Sequence, residues 1–429
     1  MFTHLHLTRF KAWADTGPMT LRPVTLLLGT NSSGKSSLAQ SLLLLKQTVQ
    51  APDRTTALNL GGSEPHDLFD FGEFAEVLHQ PARGPRQFGV ALGFRAPDAT
   101  RVTSGRLACT YGQNARGGVV LHELTLATGA RRFRAVRRGA GSYAVLVDDE
   151  RTARLKGPEH APERSVALAA PTIAGLGVDG ALADDISLAA RRALEGIHYL
   201  GPFRRPPSRH TAWQHTSPGS LGSDGARVIE ALLAQALSTA AGPGPLLHDI
   251  AHWLQRMGMA ERLSLQQQGR THRYALMVHR DGVASNLHDV GVGVAQVLPV
   301  LALGYLAAPG STLILEEPEL HLHPLAQAVL GDFFVTISQQ RQVQFLVETH
   351  AEHLFRRLQT ALAKNTVQRT DCALYFVERG ETGASLRELS LDDYGRVLNW
   401  PTHFFGDALG ETREQARLMI ERQRRTAQP

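Results

Sequence analysis

Lysine is scarce in this 429-residue chain: Lys11, Lys35, Lys46, Lys156 and Lys364 are the only ones among forty-five basic side chains, and the rest are arginine. Such a bias reflects genome composition more than phosphate binding, so a lysine inside a motif is informative. Cysteine is nearly absent too. Cys109 and Cys372 stand far apart, which excludes a disulfide framework and a cysteine-based metal cluster and favours a reducing, cytoplasmic setting. Charge of one sign is in short supply, since forty acidic residues leave a net charge of only +5, too little to imply a nucleic-acid partner by itself. No heptad pattern persists for three periods, which excludes a coiled-coil arm, and no internal repeat is found. The start MFTHLHLTRFKAW has no apolar core and no small-residue cleavage site, so no secretory signal is expected.

Long apolar runs are limited to residues 290–308, VGVGVAQVLPVLALGYLAA. Three glycines and a proline lie inside it, and no aromatic belt or basic flank brackets it. A buried helix of a large α/β core is therefore expected, not a membrane span. What is present is globular: 43% apolar and 20% charged residues exclude a disordered chain, and the scattered Gly and Pro exclude collagen. The length calls for two or three lobes sharing one site.

Residues 24–28 (VTLLL) form an apolar run ending at Gly29, as a strand buried on both faces does, and the good helix formers LAQSLLLLKQTVQ follow directly. From 81 to 160 short alternating runs separated by Gly, Asp and Asn predict antiparallel sheet. Helical patterns dominate 161–260, interrupted by the Gly- and Pro-rich stretch 201–225. Short strands are expected at 262–267 and 272–279, then the apolar helix, then buried strands at 312–316 and 343–348. The parallel-sheet pattern thus occurs at both ends of the chain. The expected domains are 1–80, a first α/β half; 81–160, an antiparallel β lobe; 161–280, a helical lobe with short strands; 281–365, a second α/β half; and 366–429, a C-terminal domain.

Gly29-Thr30-Asn31-Ser32-Ser33-Gly34-Lys35-Ser36 fits G-x-x-x-x-G-K-[ST] at every fixed position. Its two glycines let the backbone curl so that successive amides point at phosphate oxygens, and the helix opening at Ser36 and Ser37 turns its N-terminus to the same anion. Lys35 is placed to neutralise β- and γ-phosphates, and the Ser36 hydroxyl to complete a Mg²⁺ shell. At this composition, chance supplies the pattern about once in a hundred such chains. The strand TLILE then ends in Glu316 and Glu317, which delivers two carboxylates at the carboxyl edge of a parallel sheet. Glu316 suits the metal, although Asp is usual there, and Glu317 suits the general base.

The run Leu315-Glu316-Glu317-Pro318-Glu319-Leu320-His321-Leu322-His323-Pro324, with the phosphate loop far upstream, resembles the ABC-type ATPases of the OLD (overcoming lysogenization defect) and SMC-like branch. The resemblance implies an α/β P-loop ABC-type nucleotide-binding fold with an antiparallel β lobe, a helical lobe and a small C-terminal α+β appendix. Phe10-Lys11 is similar to the segment that packs beside the nucleotide. Asp289-Val290-Gly291-Val292-Gly293 takes the place of the signature motif, which caps the γ-phosphate held by another subunit, and Glu348-Thr349-His350 is similar to the strand end whose histidine senses that phosphate. The signature normally begins with Ser; Asp289 would repel phosphate unless it is turned aside or the contact uses only the Gly291 and Gly293 amides. His321 and His323 lack a third ligand and fall in the subunit-contacting loop. Residues 373–377, 392–396 and 399–405 resemble a small C-terminal domain of unknown function, where Trp400, Phe404 and Phe405 are expected to pack against the ATPase lobe. The mixed-charge last helix, including Arg413, Arg417 and Arg422, is expected to be solvated.

No coiled-coil insertion separates the halves, and no nuclease constellation follows His350. The implied protein binds ATP and Mg²⁺, hydrolyses ATP, assembles with itself around nucleotide and regulates a separate, co-encoded effector such as a nuclease, with phage defence as a setting. A DNA-repair motor gripping nucleic acid and a nucleotide-gated scaffold remain open. Arg204, Arg205 and Arg209 are the candidates for a basic patch reaching nucleotide, nucleic acid or a partner.

Overall fold

The computed structural model describes residues 1–62, 67–80, 84–96, 101–237, 244–380, 383–401, 414–415 and 417–419 of the chain. Their strands form three sheets. The central one runs in the order Ile197–Leu200, Thr312–Glu316, Gln344–Glu348, Val24–Gly29, Cys372–Gly380, Gly383–Glu388. All its neighbours are parallel except the last pair. The middle strands Val24–Gly29, Thr312–Glu316 and Gln344–Glu348 are largely apolar and buried because both faces are covered, while the edge strand Gly383–Glu388 has no buried residue. Val24, Leu26 and Leu28 point into one hydrophobic core and Leu27 into the other. The same period of two sends Leu313 and Leu315 one way and Ile314 the other, so the sheet is the wall between two cores.

On one face lie the helices Val228–Leu237, Pro245–Arg256, Val292–Leu306, Pro324–Arg341 and Glu352–Ala363. Val292–Leu306 is the apolar run anticipated as a buried helix, with Leu298, Val300, Leu301 and Ala302 fully buried and Pro299 inside it. Among the described residues no helix is long and apolar enough to cross a membrane. On the other face, Lys35–Gln50 and Val178–Glu195 separate the central sheet from a nine-stranded antiparallel sheet. That sheet contains the expected strands from Gln87–Arg95 to Glu150–Gly157, and it continues through Phe2–Phe10, Trp13–Asp15 and Met19–Thr20. The chain's beginning is thus shared between lobes. The Gln344 side chain fastens it to the central sheet, accepting from Phe2 N at 2.9 Å and donating to Phe2 O at 2.7 Å.

The third sheet joins Arg262–Gln267, Arg273–Arg280, Val283–Asn286 and the short Thr211–Ala212. At the other end of the sequence, Cys372–Gly380 lies directly against the phosphate-loop strand, from Cys372 opposite Val24 to Val377 opposite Gly29. The strands beyond residue 366 join the central sheet, where Ala373, Tyr375 and Val377 complete one core and Leu374 and Phe376 the other. Trp400 packs edge-on to Phe355 at 5.7 Å and under Arg356 at 5.5 Å. Phe404, Phe405, Arg413 and Arg422 lie outside the described residues. Both cysteines are buried and free.

Candidate functional site

Gly29 through Ser37 connect the strand Val24–Gly29 to the helix Lys35–Gln50. Two glycines shape the turn. Gly29 has φ 143°, and a β-carbon there would lie 2.3 Å from Val377 O; Gly34 has φ 111°, with Ala12 Cβ 2.9 Å from the same position. Neither site accepts another residue without moving backbone. Thr30, Asn31 and Ser32 are exposed at the tip, while Ser33 is buried beneath them. Trp13 locks the loop to the antiparallel sheet, its indole Nε1 donating to Ser37 Oγ at 2.9 Å and to Gly34 O at 3.2 Å. Trp13, three residues after Phe10, thus ties the antiparallel sheet to the loop.

Lys35 is 3% exposed and donates to Thr30 O at 2.7 Å and Gly29 O at 3.2 Å. Burial lowers its pKa, and the charges of Glu348, Glu317 and Glu319 oppose that drop. Glu348 faces it from the neighbouring strand, 3.8 Å from Lys35 Nζ and accepting from Ser36 Oγ at 3.0 Å. Sequence reasoning gave Glu348 no role of its own. The signal was present, however, since Glu348 ends a buried strand just as Glu316 does. In register, Glu316 pairs with Glu348 and Glu348 with Leu27, so parallel pairing brings three strand ends to one edge.

Burial and the neighbouring Glu348 push Glu316 up to about 7. Its Oε1, Glu348 Oε2 and Glu319 Oε2 are buried acceptors without a hydrogen-bond partner. Burial also raises Glu348 and Glu319, the latter accepting from His350 N at 2.9 Å. Glu317 turns outward with φ 44°, its amide held by Glu348 O at 2.8 Å. His350 Nε2 sits 3.9 Å from Glu317 Oε1, and burial lowers its pKa, with Lys35 adding to the drop. One edge therefore gathers Lys35, Ser36, Glu316, Glu317, Glu319, Glu348 and His350.

Asp289 and Gly291 are exposed and Gly293 is buried at the start of the helix Val292–Leu306. Asp289 is clamped in a fork by Arg209, with bonds of 2.7 and 2.6 Å, and by His288 at 3.1 Å. Gly291 faces open space; Gly293 packs on Met259 and the carbonyl of His321. The expected basic patch is not free. Arg209 holds Asp289, Arg205 holds Asp224 at 2.9 Å, and Arg204 is buried beside Glu316. His323 caps the helix Pro324–Arg341 by accepting from Leu325 N, and among the described residues no three His, Cys, Asp or Glu converge as a metal cage.

A glycine-shaped loop between a buried parallel strand and a helix, with carboxylates clustered at the same sheet edge, is the arrangement of a P-loop α/β fold. Residues 235–355 match the family described as AAA ATPase domain, and residues 367–415 match one described as a protein of unknown function, DUF3696. The chain thus contains a region similar to AAA ATPase domains, followed by this segment of unknown function. No curated protein matches it. Among solved structures it is similar to an SMC head bound to the C-winged helix domain of ScpA, at 12% identity and a TM-score of 0.47 over 91% of this chain and 98% of that one. The SMC head domain from Thermotoga maritima matches at 12% and 0.42 over 91% and 99%. An Smc head with an extended coiled coil, bound to the C-terminal domain of ScpA derived from Pyrococcus furiosus, matches at 10% and 0.47 over 91% and 96%. Likenesses this distant add nothing to the topology and motifs described above.

Proposed function

We propose that this edge binds ATP with Mg²⁺ and hydrolyses it, in an assembly of identical chains whose nucleotides lie between subunits and whose state controls a separate effector. The observation that carries the reading is the meeting of Lys35, Ser36 and four glutamates at one sheet edge, beside a loop whose glycines hold positive φ. Hard oxygen donors with free lone pairs beside a serine hydroxyl suit Mg²⁺, an ion that keeps waters and phosphate oxygens and so requires no protein cage. Ser36 and Glu316 would hold it. Bound there, magnesium would neutralise charge on the β- and γ-phosphates.

In this reading Lys35 leaves the loop carbonyls for the phosphates, and Glu317 orients a water and takes its proton as the water oxygen bonds to the γ-phosphorus and the bond to the β-phosphate oxygen breaks. His350, beside Glu317, contacts the γ-phosphate. The Arg209 fork draws Asp289 aside, leaving the amides at Gly291 and Gly293 to meet a neighbour's γ-phosphate. An effector such as a nuclease, and a place in phage defence, rest on the family resemblance. Against direct gripping of nucleic acid stands the pairing of Arg205 and Arg209 within the chain.

The test pairs two variants. Lys35→Ala is expected to weaken ATP binding at least about 100-fold, and Glu317→Gln to slow turnover by about 100-fold or more while ATP still binds and ATP-bound assemblies accumulate. Wild-type affinity in the first, or undiminished turnover in the second, overturns the assignment.

A further inference from the structure

The strand Ile197–Leu200 borders Thr312–Glu316 in parallel, so the chain leaves it at the same carboxyl edge and carries Arg204 directly over Glu316. Arg204 is 6% exposed. Among the described residues its one hydrogen bond is loose, Nη2 to Glu316 O at 3.5 Å, and its Nε and Nη1 have no hydrogen-bond partner. Beside it, Glu316 Oε1 and Glu319 Oε2 are buried acceptors that also lack one. Arg357, by contrast, closes its fork on Asp332 at 2.7 and 2.8 Å, and Arg22, Arg164 and Arg341, which also leave Nε unpaired, each hold a backbone carbonyl at 2.8, 2.9 and 3.0 Å. A buried guanidinium that leaves two donors open next to open acceptors is costly to keep, which is the pattern of a group held for a task. Burial lowers its pKa to about 10, opposed by Tyr199, Glu316 and Glu319, so it stays charged at neutral pH.

We propose that Arg204 is a positioning residue of the ATPase site: from the edge strand it sets the Glu316 carboxylate and the turn through Glu319 in the orientation that receives the magnesium nucleotide. Tyr199, on the same strand, interacts with the Glu316 carboxylate. The inference rests on the reading of this edge as an ATP site and adds a residue that no motif contains. Its bulk and charge approach the acids from the strand opposite Lys35, so the edge has a cation on each flank.

Binding of a fluorescent ATP analogue, first in EDTA and then titrated with Mg²⁺, separates the roles, alongside steady-state kcat and KM. Arg204→Gln is expected to keep metal-free binding within about 2-fold, to raise the half-saturating Mg²⁺ several-fold and to lower kcat about 10-fold or more, with Arg204→Lys recovering part of both. Wild-type Mg²⁺ dependence and kcat in Arg204→Gln would overturn the proposal, as would a loss of metal-free binding that merely tracks a fall in Tm. Should Arg204→Gln not fold, Tyr199→Phe is expected to move the Mg²⁺ dependence in the same direction by a smaller factor, and no movement there counts against it. Lys35→Ala serves as control: if it binds the analogue normally, the ATP site itself is wrong, whereas its failure beside a normal Arg204→Gln removes only the role of Arg204.

Discussion

Two charged regions of the molecule differ in how completely their groups are satisfied. On the antiparallel sheet, Arg132 meets Asp149 at 3.0 Å, and Arg134 meets both Glu123 and Asp149 at 2.8 Å, all at partly exposed positions. At the carboxyl edge of the central sheet the charges are buried, yet Glu316, Glu319, Glu348 and Arg204 each keep polar atoms without a partner. Exposed pairs add little to stability, while buried unpaired groups subtract from it. The first arrangement is a solvated surface. The second is an instability that folding into two large cores can carry, and such an edge gains most when a charged ligand arrives.

The contrast is sharpest at the signature turn, where an exposed pair has a consequence beyond its own energy. Arg209→Ala would release Asp289 to face a neighbour's phosphate. In a Glu317→Gln background, ATP-driven association is expected to need about 10-fold more protein or to vanish, and adding Asp289→Ser to Arg209→Ala should restore it. Sizing by light scattering reads both, and association that survives the single change shows that Asp289 faces no phosphate.

The buried edge makes a second, smaller effect. Glu316 titrates near 7 in the folded chain against an ordinary value of 4.5, so folding takes up a proton there. Its stabilising contribution is complete below the unfolded value and is lost as pH rises through about 7. Without nucleotide, wild-type Tm should therefore fall from pH 5.5 to 8 by several degrees more than that of Glu316→Gln. Parallel curves for the two proteins would show that Glu316 is not strained. The smallest effect belongs to the outer sheet: Arg132→Ala should shift Tm by about 2 °C or less and leave ATPase activity unchanged, and a larger loss would erase the distinction between the two regions.

Much of the central architecture was legible along the chain, because a strand buried on both faces must be apolar throughout and VTLLL, TLILE and the run before Glu348 are so. The phosphate loop was legible because its glycines answer to backbone geometry, which is local. Lobe limits were harder. Phe2–Phe10 alternates like any half-buried strand, and nothing within it says that its partner is Gln87–Arg95 instead of the sheet holding the phosphate loop. Cys372–Gly380 likewise joins the phosphate-loop strand from the far end of the chain.

Sequence alone determined the phosphate loop, the acid-tipped strand and the layered α/β class, since each follows from residue types at short, fixed spacing. Only the tertiary structure decided that Glu348 faces Lys35 and Ser36, that Arg209 pairs with Asp289 from eighty residues away, and that Arg204 is buried beside Glu316. Those pairings depend on which strand lies beside which, and hydrogen-bonded strand order is a property of the whole chain that no local pattern encodes.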